Sequence, residues 1–270
     1  MERYYITGAS GYIGLRLTDF FSKKNMCYEG FSRNKNNKKL TYINNYKEIP
    51  FRDDTAIIHL AQSSYIDKVK NDDEVSILKH LLNKNWSHFI FASSAILYGD
   101  KEIYERKERE KIEPTNLYAK NKHKCEKMVI ENGGTVLRFS NIYGLKPKQN
   151  TVMDSIFKNF QSEKKVCVHE NNAIRDFLWI DDAVESIFKS CKYKPNKILN
   201  IGTGEATSIK DLYNIINRFT KYKKNTIKIK NGRNKSCIVV NTTEAKKNLK
   251  WSYRMSVENG LRNIVSELNL

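Results

Sequence analysis

Paired cysteines are missing from this 270-residue chain. Its five cysteines, Cys27, Cys125, Cys167, Cys191 and Cys237, stand far apart, and no two form a C-x-x-C step. That spacing argues against a zinc knuckle or a disulfide framework. It leaves reduced, mostly buried thiols, as in a cytoplasmic protein. No apolar run approaches the length of a membrane span. The N-terminus runs straight into a strand and turn, so a signal peptide is not expected. Internal repeats and low-complexity tracts are absent too. Acidic residues are in deficit: 48 Lys and Arg face 30 Asp and Glu, a formal net charge of +18. An excess of that sign suits an anionic partner: nucleic acid, a membrane surface or a phosphorylated small molecule. The lysines are spread along the chain, however, and a bias toward Lys and Asn accounts for most of the charge. No basic run is interleaved with aromatics as a single-strand binder needs. Neither nucleic acid nor membrane is therefore expected as a partner.

What is present is an alternation of strands and helices. At 40% hydrophobic and 29% charged residues the composition is ordinary for a chain with a real core. The apolar run at Tyr4–Ile6 precedes an amphipathic helix from Leu15 to Lys23. Strands follow at Met26–Phe31, Thr41–Ile43, Thr55–Leu60, His88–Ala92 and Thr135–Phe139, with helices at Asp72–Asn83 and Asn116–Glu131. The continuous apolar character of Thr55–Leu60 is that of a strand buried on both faces. Lys101–Lys111 is nearly all charged and is expected on the surface. The alternation predicts an α/β fold, a doubly wound parallel sheet. Beyond Gly144 the pattern loosens. Helices are expected at Thr151–Gln161, Asp181–Cys191, Ile209–Phe219 and Val257–Leu268, and short strands at Val166–Val168, Ile198–Ile201 and Thr226–Ile229. Residues 1–144 are thus expected to form the main-sheet domain, which the glycine turn between its first strand and first helix marks as dinucleotide-binding. Residues 145–270 form a smaller region interleaved with the main sheet.

Three stretches carry chemistry. Gly8, Gly11 and Gly14 stand between the first strand and the first helix, spaced G-x-x-G-x-x-G. Glycine admits positive φ and lets a phosphate approach without a Cβ. The helix N-terminus beyond it offers N–H groups to a pyrophosphate. A plain strand–helix turn is the alternative. Tyr118 and Lys122 lie four apart on one helix face. An ammonium beside a phenol lowers its pKa, making a usable acid–base group, although Y-x-x-x-K also arises by chance in a lysine-rich chain. Ser94 leaves a buried strand at its C-terminal end, where open α/β sheets bind ligands. Its hydroxyl could donate to a carbonyl oxygen or merely cap the strand.

With these motifs in hand, the chain resembles the extended short-chain dehydrogenase/reductases of the nucleotide-sugar epimerase/dehydratase group. The matching segments are Thr7–Gly14, Ile57–Ala61, Phe91–Gly99, Tyr118–Lys122, Leu137–Gly144, Arg175–Ala183, Asn200–Gly204 and Asn248–Trp251. The resemblance implies a Rossmann-type sheet with a small C-terminal substrate-binding region. Gly8, Ser10, Gly11, Tyr12, Ile13 and Gly14 would surround the cofactor pyrophosphate, with Leu60 and Ala61 beside them. Tyr118 would transfer the proton, Lys122 would hold the nicotinamide ribose, and Ser94 would bind the reacting oxygen. Asn141, Arg175 and Arg233 would meet the diphosphate of a nucleoside-diphosphate sugar; a salt bridge to Asp176 or Asp181 is the other reading of Arg175. Homodimers of this group often use the helices around Tyr118. The shortened stretch between Ala61 and Phe89 leaves a monomer as the alternative.

Departures from the group choose among reactions. Its dehydratases carry Asp-Glu after the hydroxyl residue, where this chain has Ala95 and Ile96. At the end of the second strand, NAD-preferring members place an acid, and this chain has Ser32 and Arg33. A hydroxyl and a cation there suit NADP(H), with NAD(H) and a merely solvated basic loop as alternatives. The expected activity is an NADPH-dependent reduction of a nucleoside-diphosphate 4-keto-(deoxy)sugar. A 4-epimerase with tightly held NAD is the alternative. A non-catalytic NADP-binding sensor should lack Tyr or Lys from the pair, and both are present.

Overall fold

The computed structural model describes residues 2–62, 73–112, 114, 116–145, 151–161, 166–170, 173–220, 227–231 and 236–270. In chain order the first half runs β1 (Arg3–Thr7), α1 (Tyr12–Lys23), β2 (Tyr28–Ser32), β3 (Thr41–Tyr42), β4 (Thr55–His59), α2 (Asp73–Leu82), β5 (His88–Ser94), α3 (Leu117–Glu131) and β6 (Thr135–Phe139). Two 3-10 turns interrupt it, at Tyr46–Glu48 and Ala95–Tyr98. The second half runs β7 (Asn141–Tyr143), α4 (Val152–Gln161), β8 (Val166–Glu170), β9 (Ala173–Arg175), β10 (Phe177–Trp179), α5 (Ile180–Tyr193), β11 (Ile198–Ile201), β12 (Thr207–Ser208), α6 (Ile209–Phe219), β13 (Ile227–Asn231), β14 (Ser236–Ile238), α7 (Thr243–Leu249) and α8 (Val257–Glu267).

Seven strands form one sheet in the order β11-β6-β5-β4-β1-β2-β3, every neighbouring pair parallel. Successive strand residues serve opposite faces, as a period of two requires. Ile6, Ile58, Ile90 and Leu137 pack on one face with Leu17 and Phe21 of α1 and Val184 and Ile187 of α5. Tyr5, Ile57, Phe89 and Val136 pack on the other with Leu78 and Leu81 of α2 and Cys125 and Val129 of α3. A further core joins α4, α6 and α8 around Phe157, Leu212 and Leu261. The order reverses between β1 and β4, and such switch points open a crevice at the strands' C-terminal ends.

Two expectations are corrected. α1 starts at Tyr12, three residues before the amphipathic pattern, because the last three residues of the glycine turn already belong to its first turn. The charged segment 101–111 is not wholly on the surface. Arg106 is 6% exposed. Its N–H donates to Val239 O at 2.8 Å and its guanidinium to Tyr98 O at 2.9 Å. Charge density concealed a residue whose hydrogen bonds are satisfied inside. The strands at β7, β9, β10, β12 and β14 and the helix α7 extend the expected set. Thr226 of the strand expected at Thr226–Ile229 lies outside the described residues.

Candidate active site

The glycine turn closes on its own backbone. Gly11 N–H donates to Gly8 O at 2.9 Å. Gly8 has φ +66°, and a Cβ there would lie 2.9 Å from Ala61 N. At Gly14 a Cβ would stand 2.3 Å from Gly8 O, which no side chain tolerates. Gly11 caps α1 without any side-chain hydrogen bond, and the first turn of the helix holds no acid. Its first N–H groups therefore remain available to an anion. Thr7 Oγ1 fixes the far wall, accepting from Leu60 N and Ala61 N at 3.2 Å each.

A cleft of about 570 Å³ opens over this turn. Gly8, Gly11, Tyr12, Ile13, Gly14 and Leu60 line one side, and Ser94, Tyr118, Lys122, Asn141 and Arg175 line the other. Four expected residues do not line it: Ser10, Ser32, Arg33 and Ala61. Ala61 spends its N–H on Thr7. Ser32 is 1% exposed. Its hydroxyl donates to Ser10 Oγ at 2.7 Å and accepts from Asn34 N at 2.9 Å. The hydroxyl expected to face a ribose phosphate is thus turned inward, because it closes the end of β2 against the glycine turn. Arg33 is exposed and stacks on Tyr46, its guanidinium 5.4 Å from the ring centroid.

Ser94 and Tyr118 meet across the cleft floor. Ser94 stands at the end of β5 and caps the 3-10 turn behind it, accepting from Ile96 N at 3.3 Å. Tyr118 lies in the first turn of α3, whose N-cap Asn116 accepts from Ala119 N at 2.8 Å, and it lines both cavities of the site together with Ser94. One turn on, Lys122 Nζ donates to Gln62 Oε1 at 2.8 Å and Ala92 O at 2.9 Å, 5.6 Å from the Tyr118 ring centroid. The expected lowering of the Tyr118 pKa is reversed. Burial pushes the phenol above its ordinary range, the Glu74 charge adds to this, and the nearby Ser94 hydroxyl only partly opposes it. The reason is where the ammonium points: at Gln62 and the Ala92 carbonyl. A protonated phenol beside a serine hydroxyl is competent to donate a proton to an oxyanion. Gln62 escaped notice in the sequence, although it directly follows Ala61.

A second cavity of about 360 Å³ adjoins the first, lined by Ala95, Ile96, Asp100, Asn116, Arg175 and Ile238 among others. Arg175 NH1 donates to Ile174 O at 2.8 Å and Ser236 O at 2.9 Å, and its NH2 donates to Ser236 Oγ at 2.7 Å. Burial lowers its pKa. It pairs with neither Asp176 nor Asp181. Asp176 is buried and accepts from Thr203 N, Thr203 Oγ1 and Gly204 N at 2.8 to 3.0 Å. Asp181 pairs with Arg16. Among the described residues lining the two cavities, Asp100 is the one carboxylate. Arg233 lies outside the described residues.

Behind the site, Arg138 of β6 forks onto Glu126 of α3 at 2.9 and 2.7 Å and donates to Tyr98 Oη at 2.8 Å. This buried pair fixes the helix that carries Tyr118 and Lys122 to the sheet that carries Ser94.

A parallel sheet with a glycine turn at its switch point, faced by a Ser–Tyr–Lys cluster, defines a Rossmann-type α/β protein. More narrowly, the chain belongs to the NAD dependent epimerase/dehydratase family, whose model matches residues 4–202. It is 24% identical, over 97% of its own length and 96% of the relative's, to a putative UDP-glucose 4-epimerase of Methanocaldococcus jannaschii. Among solved structures it resembles UDP-glucose 4-epimerase with UDP-glucose from Thermotoga maritima. That match has a TM-score of 0.85 at 20% identity and covers 99% of this chain and 98% of that one. It also resembles a dTDP-glucose 4,6-dehydratase of Bacillus anthracis str. Ames in complex with NAD. There the TM-score is 0.85 at 17% identity, covering 100% and 97% of the two chains.

Proposed function

We propose that this protein is an NADPH-dependent reductase of a nucleoside-diphosphate 4-keto-(deoxy)sugar. The residues present fit a dinucleotide, since the glycine turn leaves no room for Cβ atoms and α1 begins uncapped. A bound nicotinamide supplies the hydride. Tyr118 gives its proton to the oxygen of the carbonyl under reduction, and Ser94 holds that oxygen. Lys122, which lines the cleft beside Tyr118, is the cation assigned to a ribose, and Arg175 and Asn141 serve the diphosphate, for which a planar guanidinium is suited. Elimination of water is disfavoured because Ala95 and Ile96 carry no acid or base.

The observation that carries the choice of cofactor is Arg33. It directly follows β2, where an acid would favour NAD, and among the described residues no carboxylate is paired with it. A reductase must renew its reduced cofactor in each cycle, which suits NADPH. Mass analysis of the nucleotide that accompanies the purified protein tests this. NADP or an empty site supports the reductase, and stoichiometric NAD argues against it.

A 4-epimerase with tightly held NAD is the second reading. Similarity to a putative UDP-glucose 4-epimerase over nearly the whole chain favours it. The same Tyr118 and Ser94 would then serve oxidation and reduction at one carbon without added reductant.

A further inference from the structure

The 3-10 turn at Tyr46–Glu48 belongs to none of the catalytic motifs, yet its first residue is buried against the glycine turn. Tyr46 is 4% exposed. Gly8 N–H donates to its hydroxyl at 3.2 Å. The Arg33 guanidinium lies over its ring, 5.4 Å from the centroid. Burial raises the pKa of the Tyr46 hydroxyl, and the Arg33 charge works against that rise. Three segments thus meet at one aromatic ring: Gly8 after β1, Arg33 after β2 and Tyr46 after β3. Asn45 starts the turn by accepting from Lys47 N at 3.0 Å, which places the ring.

This arrangement gives an exposed arginine a fixed seat. A long side chain that is free to rotate loses entropy when it grips an anion, and one already stacked loses less. Arg33 is also the charged group left at this place, since Ser32 has turned its hydroxyl inward to Ser10. Lys35, two residues on, sits over the more exposed Tyr42 at 4.9 Å and lacks any such link to the glycine turn.

We propose that Tyr46 is a positioning residue for cofactor choice, holding the Arg33 guanidinium beside the glycine turn so that it serves the ribose phosphate that distinguishes NADP from NAD. The inference rests on the NADP(H) reading above.

Fluorescence titration with NADPH and with NADH tests it without knowledge of the sugar. The wild type should bind NADPH at least about tenfold tighter than NADH, and Arg33→Ala should bring the ratio close to one, as loss of a charge-assisted contact implies. Tyr46→Leu should lower the ratio about fivefold, and Tyr46→Phe, which keeps the ring but loses the hydroxyl, about threefold. NADH affinity should stay within about twofold throughout, and in the Arg33→Ala background either Tyr46 substitution should leave the ratio unchanged, the signature of one residue acting through another. Should Tyr46→Leu not fold, Tyr46→Phe alone and with Arg33→Ala carries the test. A wild-type ratio in the Tyr46 variants, or an equal loss with and without Arg33, overturns the role of Tyr46 and leaves the NADP(H) reading standing. A wild-type protein that binds the two cofactors equally overturns the NADP(H) reading itself, and the role of Tyr46 falls with it.

Discussion

His59 and His88 are 0% and 6% exposed. Each binds a threonine hydroxyl through one ring nitrogen, His59 Nδ1 to Thr7 Oγ1 and His88 Nε2 to Thr135 Oγ1, both at 2.9 Å. Burial pushes His59 down to about 3 and His88 down to about 4, from an ordinary 6.5, with the Lys122 and Lys194 charges adding to the respective shifts. Below pH 6.5 the unfolded chain takes up protons that the folded chain refuses. Stability from these two groups is therefore complete above that pH and is lost as pH falls toward the folded values. At pH 5 each histidine should have cost about 2 kcal/mol, or about 4 kcal/mol together, relative to pH 8. Urea unfolding at pH 8 and pH 5, on the wild type and on His88→Gln, isolates one of them. The variant should lose about 2 kcal/mol less than the wild type over that interval, whatever its stability at pH 8. Equal losses would refute the claim that His88 is held neutral in the fold.

Other outcomes follow from the same contacts. Glu126→Gln leaves the Arg138 charge buried without its counter-ion, at side-chain exposures of 2% and 1%, and should cost about 3 to 5 kcal/mol by chemical denaturation; a loss under about 1 kcal/mol would contradict a working ion pair. Gly14→Ala drives a Cβ into the Gly8 carbonyl, so the variant should lose NADPH binding in equilibrium dialysis, and unchanged binding would show that the turn tolerates a side chain. Tyr118→Phe should lower turnover about 10²- to 10⁴-fold while cofactor affinity is retained; a variant that turns over normally would remove Tyr118 from the chemistry.

Much of this was legible in the sequence, and for local reasons. The glycine turn, Ser94 and the Tyr118–Lys122 pair each lie within one strand end or one helix turn, so spacing alone brings their atoms together. Apolar runs such as Thr55–His59 announced the sheet because both faces of it are covered. Tyr46 was not legible, since its contact with Gly8 spans 38 residues and depends on where a three-residue turn lands. The direction of the Tyr118 pKa was not legible either. Spacing places an ammonium near the ring, but only the fold shows that burial outweighs it and that the ammonium points to Gln62. The two- and three-residue strands of the second half are too short to carry a period, and Arg106 was masked by the charges around it.

The most direct measurement is absorbance at 340 nm with the purified protein, NADPH and a nucleoside-diphosphate 4-keto-6-deoxysugar. Loss of absorbance that stops when the sugar is exhausted, and that disappears in Tyr118→Phe, is the expected result. Constant absorbance with every such sugar, together with interconversion of 4-epimers by the protein without added NADPH, would contradict the reductase and establish the epimerase in its place.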